Sequence, residues 1–519
     1  MITRLFRSGV RRVSVVLILT AGTLISAGCA TGLRMTEDGI PVVSKEKQLD
    51  EAVSSFISEA GMDPAWWGVH VVRVDDGRDV YKRFADHSFI PASNIKLYTT
   101  AAGLTLLGPE FTYETRLYAV GPVENGVLHG DLVVRGSGDP VIGPRFAENG
   151  DRLETFRSWA ASLKAAGIDS VAGNIIGDDD LFDDLPLGAG WMWDDEITWY
   201  SAEVGALTYH DNTIDIRLDG RASGEPAVLS WEPAATSYVR LRNESVTVPS
   251  GPVDEGYERE RASNEFRLTS RVPVGGADTE SLSISNATLY FVHVLSETLR
   301  AEGIGVGGGP VDVDDLPSKP AYDAPDVRSV AVHRSVPLKK IAAAINKPSH
   351  NLYAEQLLRS IGAYAPVDTT APAIGSAASG LEASMHVFGA AGVDTVRIRL
   401  ADGSGLSRYN IISPRMTTSL LRYMAVGTDD STRAAFMRSL PIAGVDGSLA
   451  GRMRSGPAYA NALAKTGTMS HASALAGYVT TARGTQLAFS IMGNNYILPT
   501  SRARDVQDRI VQILAASEL

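Results

Sequence analysis

Strand signals occur at both ends of this chain of 519 residues, and each set is next to a helical pattern. Near the start, residues 67–74 and a second strand through Tyr81 flank the turn residues 75–77. Near the end, residues 474–481 and 486–492 form a second hairpin signal. We therefore predict one antiparallel sheet that both ends of the chain complete, with the middle of the chain as an insertion.

Apolar spacing predicts the helices that cover this sheet. A helical pattern runs over residues 49–60, and a last helix carries Val506, Ile510 and Leu514 on one face. A chain of this length is too long for one ordinary core, so several domains are expected. The predicted fold class is α/β (α+β), with an antiparallel sheet flanked by helices and β-rich inserted domains.

The middle of the chain has a different texture, with short strand-like runs between Gly, Pro and Asp residues. We predict an inserted domain over 110–215 and 283–325, within which 216–282 form a nested all-β domain. The flanking segments 49–109 and 326–519 then form the domain that contains the main sheet.

The first thirty residues have the layout of a secretory signal. A basic start is followed by an apolar run over 13–25 and by small residues that lead to Cys29, the sole cysteine. We predict a signal peptide over 1–28, a polar tether over 30–48 and export, with no later apolar stretch of about 20 residues to span a membrane. The position of Cys29 resembles the lipobox of bacterial lipoproteins, which implies lipidation and attachment to a membrane surface. The alternative is ordinary signal cleavage nearby, with Cys29 incidental.

The charge balance excludes one class of partner. The formal net charge is −12 and the pI is about 5.3, whereas nucleic acid binding needs a basic face. No nucleic acid partner is therefore expected, and a single cysteine permits neither an intramolecular disulfide nor a cysteine metal cage.

Three short motifs carry residues suited to nucleophilic catalysis. In Ser93-Asn94-Ile95-Lys96, positions three apart share one helix face, so a neutral lysine can take the proton of the serine hydroxyl. Ser349-His350-Asn351 presents a hydroxyl and a carboxamide, although Ser349 would serve equally as a helix cap. Lys465-Thr466-Gly467-Thr468 suits a carboxylate ligand, although a surface turn is the simpler interpretation of an isolated motif.

Taken together and in this order, the motifs resemble those of penicillin-binding proteins and serine β-lactamases. Ser93 and Ser349 are 256 positions apart, which resembles the low-molecular-mass class C penicillin-binding proteins, the D-alanyl-D-alanine carboxypeptidase/endopeptidase family. That family has two nested inserted domains between the first two motifs. Residues 138–140 and 402–408 look like the same family, whereas His350 stands where the family more often has Asp.

The resemblance implies a serine DD-peptidase of peptidoglycan stem peptides, inhibited covalently by β-lactam antibiotics and needing no cofactor or metal. Ser93 would attack the penultimate D-alanine carbonyl, and Lys96 would accept its proton. Ser349 and Asn351 would pass a proton to the leaving amine and orient the peptide. The resemblance also implies that Lys465, Thr466 and Thr468 bind the terminal carboxylate, and that Gly467 leaves room beside the peptide. The backbone amides of Ser93 and Thr468 would donate to the oxyanion. Asp178 of the inserted domain would contact the amino end of the diaminopimelate side chain. An equal alternative for Asp178 is a solvated acidic loop.

Other functions are weighed against this interpretation. A serine hydrolase of the α/β-hydrolase type is disfavoured because the sequence contains no Gly-x-Ser-x-Gly elbow. A β-lactamase would share the motifs but would release a penicillin adduct rapidly. A non-catalytic peptidoglycan-binding lipoprotein with the same fold would never acylate at Ser93.

Overall fold

A computed structural model of the chain describes residues 34–233, 236–370 and 373–519. The predicted signal peptide and Cys29 lie outside the described residues. Within the described part of the chain, no helix combines the length and the apolar character that crossing a membrane requires.

The helices of the described residues are numbered along the chain. They are α1 (Glu46–Glu59), α2 (Ile95–Leu106), α3 (Glu154–Ala165), α4 (Ala287–Ala301), α5 (Leu338–Asn346), α6 (Asn351–Tyr364), α7 (Ala377–Ala390), α8 (Pro414–Val426), α9 (Asp430–Ser439) and α10 (Thr500–Ala516). A short 3₁₀ turn over Ala92–Asn94 leads directly into α2.

The strands are likewise numbered along the chain. They are β1 (Trp66–Arg73), β2 (Asp79–Arg83), β3 (Glu114–Val120), β4 (Val123–Glu124), β5 (Val127–Leu128), β6 (Asp131–Arg135), β7 (Ser170–Val171), β8 (Ile175–Asp178), β9 (Thr213–Asp219), β10 (Val228–Glu232), β11 (Arg240–Asn243), β12 (Val246–Val248), β13 (Tyr257–Arg259), β14 (Glu265–Leu268), β15 (Arg271–Pro273), β16 (Ala277–Ser283), β17 (Gly305–Val306), β18 (Pro310–Asp312), β19 (Val327–Arg334), β20 (Leu463–Met469), β21 (Ala472–Thr480) and β22 (Gln486–Asn494).

The main sheet has the order β2-β1-β22-β21-β20, and all of its pairings are antiparallel. Strand β1 from the start of the chain pairs with β22 from the end, with Trp67 opposite Gly493. The prediction of one antiparallel sheet completed by both ends of the chain is therefore confirmed. Strand β20, which carries the third motif, is the edge strand on one side of this sheet.

Alternation along the strands gives the main sheet two buried faces. On β21, Leu475 and Val479 belong to the core that contains residues of α1 and α10. The intervening Ala474 and Ala476 belong to the core formed with α2 and the helices after residue 338. On this second face, the Ala92–Asn94 turn lies close to β20 and β21, and α8 lies close to β21 and β22.

The inserted segments form sheets of their own. One has the order β18-β8-β6-β3-β19, and the region between β9 and β16 consists of short strands. Strand β19 pairs with β3, so residues 327–334 extend the inserted sheet, although we predicted a return to the main domain at 326. Prolines 317, 320 and 325 suggested that this stretch is a linker to the main domain. The strand that follows pairs with β3, which is distant in the sequence, and local sequence does not specify such a partner.

The end of the predicted tether over 30–48 is folded onto the main domain. Val43 is fully buried, and its carbonyl accepts a hydrogen bond from the Glu518 amide near the C-terminus. Helix α1 begins at Glu46, three residues before the predicted start of the helical pattern. The polar composition of this segment gave no indication that Val43 would be buried and would anchor it.

Packing of α10 on the main sheet gives a stability prediction with a matched control. Ile510 is 0% exposed and Ile497 is 92% exposed. We expect Ile510→Ala to lower the free energy of unfolding by about 2–5 kcal/mol, because it leaves a cavity between α10 and the sheet. Ile497→Ala should change it by about 0.5 kcal/mol or less. Urea denaturation followed by circular dichroism measures both, and equal effects of the two variants would contradict this packing.

Candidate active site

Ser93 lies in the 3₁₀ turn that precedes α2, in a backbone held by close contacts. The preceding residue, Ala92, has φ 48°, a left-handed conformation that costs energy for a residue with a Cβ. The side chain of Asn94 donates a hydrogen bond of 2.8 Å to the Lys465 carbonyl, which fastens the turn to β20. The first and third motifs are thus joined through the backbone of the edge strand.

Lys96 lies one helical turn after Ser93, is fully buried, and donates to neutral acceptors. Its Nζ is 3.0 Å from Ser93 Oγ, 2.6 Å from Asn351 Oδ1 and 2.6 Å from the Ser404 carbonyl oxygen. Burial lowers the pKa of the Lys96 ammonium to about 7, although the charges of Asp402 and Glu355 act in the opposite direction. A substantial fraction of this amine is therefore neutral near physiological pH and can accept a proton.

The second motif lies at the start of α6 and contacts both lysines. Ser349 has φ 69°, and its Oγ accepts a hydrogen bond of 2.8 Å from Lys465 Nζ. The residue at the cap position of α6 is His350, so Ser349 does not act as the helix cap that was the alternative interpretation. Asn351 accepts from Lys96 and donates a 2.7 Å hydrogen bond to the Tyr200 carbonyl in the inserted segment.

The third motif lies on edge strand β20 beside the Ser93 turn. Lys465 is fully buried, and its Nζ donates to Ser349 Oγ and to the Thr466 carbonyl, each at 2.8 Å. Burial, followed by the charge of Lys96, holds the pKa of Lys465 well below its ordinary value. The hydroxyl of Thr466 donates to Ser448 Oγ at 2.7 Å, whereas Thr468 is exposed and accepts a long contact of 3.4 Å from Arg504.

Gly467 is required by the close approach of β20 to the Ser93 turn. A Cβ at this position would lie 2.6 Å from the Pro91 carbonyl oxygen and 3.1 Å from the Ser93 amide nitrogen. Those are backbone atoms and cannot move aside cheaply. The structure therefore brings Ser93, Lys96 and Asn351 into one hydrogen-bonded group and Ser349 and Lys465 into a second, and the Asn94 side chain links the two.

Several residues of this region were not assigned roles from the sequence. Glu355 accepts hydrogen bonds from the Gly403 and Ser404 amides, and the Ser404 carbonyl in turn accepts from Lys96. Burial and the charge of Asp402 raise the pKa of Glu355 to about 7. Glu355 follows Asn351 by four positions on one helix, a spacing that could have identified it as facing the same side. Ser448 and Tyr200 gave no signal in the sequence.

The loop over 402–408 is held against the Ser93 turn. Gly405 has φ 83°, and a Cβ there would lie 2.0 Å from the Ala92 carbonyl oxygen. Asp402 accepts hydrogen bonds from the Gly405 and Ser407 amides and from the Asn410 side chain. The loop is thereby fixed so that the Ser404 carbonyl points at Lys96 Nζ.

His350, the departure from the family pattern, connects the second motif to the inserted segment. Its Nε2 lies 3.1 Å from Asp211 Oδ2, which also accepts from Arg145 at 2.9 Å, while Tyr353 donates to Asp211 Oδ1 at 2.9 Å. Burial would raise the pKa of Asp211, but His350 and Arg145 hold it far below its ordinary value. Asp211 is the middle one of three consecutive residues, 210–212, with positive φ. This strained loop contacts the second motif directly, through the hydrogen bond between Asp211 and His350.

Asp178 lies at the end of β8, and its described hydrogen bonds do not join the network around Lys96. Its carboxylate accepts from the Tyr322 hydroxyl and from the Asp180 amide, and it is buried. Its role therefore stays a prediction.

The neighbouring Asp179, Asp312 and Asp314 each place one carboxylate oxygen within 4.8 Å of the others, a spacing that could hold a metal ion. Burial and repulsion from the other two carboxylates raise the pKa of Asp179 to about 7.

Comparison with known proteins gives consistent matches over most of the chain. The family model described as the D-Ala-D-Ala carboxypeptidase 3 (S13) family matches residues 49–517. A D-alanyl-D-alanine carboxypeptidase from an Actinomadura species is 33% identical, with 98% of this chain and 91% of the relative covered. A D-alanyl-D-alanine carboxypeptidase from Haemophilus influenzae is 30% identical over 78% of this chain and 81% of the relative.

Solved structures give the same result. The crystal structure of penicillin binding protein 4 from Haemophilus influenzae matches with a TM-score of 0.75 and 27% identity, covering 88% of this chain and 97% of that one. A second structure of that protein, complexed with a β-lactam, has a TM-score of 0.70 at 26% identity, with the same coverage.

The neutral contacts of Lys96 lead to a direct measurement. We expect the Lys96 side chain to titrate with a pKa of about 7, because burial penalises its charged form and every described hydrogen-bond partner is neutral. NMR of protein labelled with ¹³C at lysine Cε would follow this titration, with Lys96→Arg assigning the resonance. A Lys96 resonance that stays in the protonated form up to pH 9 would contradict the expectation.

Proposed function

The chain belongs to the D-Ala-D-Ala carboxypeptidase 3 (S13) family, and on this basis we propose that Ser93 is the residue that it acylates. The protein is a serine-type D-alanyl-D-alanine carboxypeptidase that acts on peptidoglycan. The observation that carries the assignment of Ser93 is its contact with a buried lysine whose three described acceptors are all neutral. Lys96 Nζ is 3.0 Å from Ser93 Oγ.

In the first step Lys96 takes the proton of the Ser93 hydroxyl as Oγ attacks the carbonyl carbon of the penultimate D-alanine. A neutral amine within hydrogen-bond reach is the general base that such a step requires. The Asn351 and Ser404 acceptors fix the direction of the Lys96 amine. The backbone amides of Ser93 and Thr468 would donate to the oxyanion, a contribution of about 10²–10³ in rate per donor.

Collapse of the tetrahedral intermediate breaks the peptide bond and requires a proton on the leaving amine. The Ser349 hydroxyl can donate it and recover it from Lys465, because Lys465 Nζ contacts Ser349 Oγ at 2.8 Å. Terminal D-alanine leaves, and the stem peptide remains as an ester on Ser93. Water then attacks the ester carbonyl and loses a proton through Ser349 to the now neutral Lys465, and the bond to Ser93 Oγ breaks as Lys96 returns its proton to that oxygen, which restores both lysines. A cross-linked peptide follows the same steps when the amine of a neighbouring stem is the leaving group.

The third motif would receive the terminal carboxylate of the substrate. Lys465 supplies positive charge at the inner end of β20, and the Thr466 and Thr468 hydroxyls supply donors along the strand. The free edge of β20 would allow the peptide backbone to lie alongside it. Asp178 is retained as a proposed contact for the amino end of the diaminopimelate side chain, although its carboxylate is occupied by Tyr322 and Asp180.

The cellular location follows from the substrate and from the N-terminal pattern. Peptidoglycan lies outside the cytoplasm, and the first thirty residues have the layout of an export signal. We propose that Cys29 is lipidated and holds the protein at a membrane surface, with the segment before α1 as a short connection.

The assignment of Ser93 is tested with a fluorescent penicillin. Wild-type protein should form a persistent adduct that peptide mapping assigns to Ser93, and Ser93→Ala should form none. The acylation rate constant should rise about tenfold per pH unit below pH 7 and level off above it, because Lys96 must lose its proton before it can act as a base. Lys96→Arg should lower the rate by at least about 10². A wild-type protein that never labels would overturn the assignment, and rapid release of the adduct would favour a β-lactamase.

Recognition of the terminal carboxylate is tested with a pair of peptides. Thr468→Val removes one hydroxyl donor from the exposed end of the motif, and a hydrogen bond to a charged group is worth about 1.5–3 kcal/mol. We expect KM to rise about tenfold for a peptide that ends in a free D-Ala-D-Ala carboxylate. The corresponding C-terminal amide should be hydrolysed by variant and wild type with equal KM. Measuring released D-alanine or D-alanine amide decides this, and an equal rise for both peptides would contradict the role of Thr468.

A further inference from the structure

A cleft of about 900 Å³ lies beside the second motif, and the proposed mechanism does not use it. His350 is part of its lining, so the cleft begins one residue from both Ser349 and Asn351. The opposite wall comes from the inserted segments and includes Trp231 of β10 and Glu280 of β16.

Two indole rings give this cleft flat apolar surfaces. Trp199 is 37% exposed, and Trp231 is half-buried. Hydroxyl and carboxylate groups also line the cleft, among them Ser281, whose Oγ donates to Asp215 at 2.6 Å. Aromatic faces with hydrogen-bonding groups around them suit a ligand that has both apolar C–H faces and many hydroxyl groups.

Most of the charged groups in the lining are paired, although the partner of Arg217 is Asp219 outside the lining, and Glu280 accepts from the Ser281 amide. Arg145 contacts Asp211 at 2.9 Å, and His210 contacts Asp215 at 3.0 Å. Paired charges create no strong field for a charged ligand, in contrast to a cluster of one sign. The lining is therefore suited to a neutral polar ligand.

We propose that this cleft binds a sugar of the glycan strand to which the stem peptide is attached. The inference rests on the proposed function, because the stem peptide must occupy the groove beside Ser93. Four extended residues span about 14 Å, so a peptide held at Ser93 brings its sugar to the neighbourhood of the second motif. An N-acetylated sugar offers C–H faces to the two indoles, and its hydroxyl and amide groups match the carboxylates and hydroxyls of the lining. His350 then contacts the sugar on one side and the catalytic motif on the other.

Two substrates with the same stem pentapeptide test this, one carrying the N-acetylglucosaminyl-N-acetylmuramic acid disaccharide and one without sugar. Wild-type KM should be about tenfold lower for the disaccharide substrate. Trp231→Ala and the isosteric Glu280→Gln should raise that KM about 5–10-fold, and should change KM for the free peptide, and kcat for either, less than twofold. Trp193→Ala is the matched control, because Trp193 is 71% exposed and lies outside the cleft lining.

Direct binding provides a readout that does not depend on hydrolysis. The free disaccharide should bind Ser93→Ala with a Kd of about 1 mM or tighter by isothermal titration calorimetry, and Trp231→Ala in that background should abolish the heat signal. Penicillin acylation of each active variant at the wild-type rate shows that the catalytic groove is intact. Failure of wild-type protein to acylate would count against the proposed function.

The proposal for the cleft has its own contrary outcomes. Equal wild-type KM values for the two substrates, with no binding of the disaccharide to Ser93→Ala, would overturn it. A KM that rises equally for both substrates in Trp231→Ala and Glu280→Gln would assign the cleft to the peptide and would overturn it as well.

Discussion

The mechanism proposed for this protein depends on the burial of the Lys96 amine among neutral acceptors. A buried ammonium is normally paired with a carboxylate, because an unpaired charge in the interior is costly. Here the described contacts of Lys96 are a hydroxyl, a carboxamide and a carbonyl, while Asp402 and Glu355 act on it only from a distance. The cost of burial is thereby converted into a lowered pKa. A direct ion pair would have kept the amine protonated and removed it as a base.

The main sheet and the loops around it hold these acceptors in place. Edge strand β20 carries Lys465, and the Asn94 side chain connects that strand to the turn that carries Ser93 through a hydrogen bond. Backbone strain is concentrated at the same place, because Ala92 and Ser349 both have positive φ. Strained residues persist only where surrounding contacts fix them, which is the function of the close approaches made by Gly405 and Gly467. Rigidity at the site is thus obtained by packing backbone against backbone.

The sequence predicted the parts of this arrangement that are encoded locally. Two hairpins at the chain ends indicated the antiparallel sheet, and the three motifs in their order identified the five residues that the structure holds in two hydrogen-bonded groups linked through Asn94. The features that the sequence did not predict depend on pairing between residues that are far apart in the chain. Strand β19 joins β3 across roughly 200 positions, and Glu355 reaches a loop that begins almost 50 positions later. The burial of Val43 at the end of the predicted tether was not foreseen for the same reason, since only the folded chain shows what covers this side chain.

The contact between His350 and Asp211 explains why the inserted segments matter to a reaction carried out by residues outside them. His350 is held by a loop of three residues with positive φ, and Asn351, its neighbour, donates to the Tyr200 carbonyl. Two adjacent residues of the second motif are therefore positioned by the insertion, and Asn351 in turn orients Lys96. Any displacement of the 210–212 loop changes the geometry around the base. Asp211 and His350 both line the cleft, so a ligand bound there as proposed would contact the loop that positions the second motif.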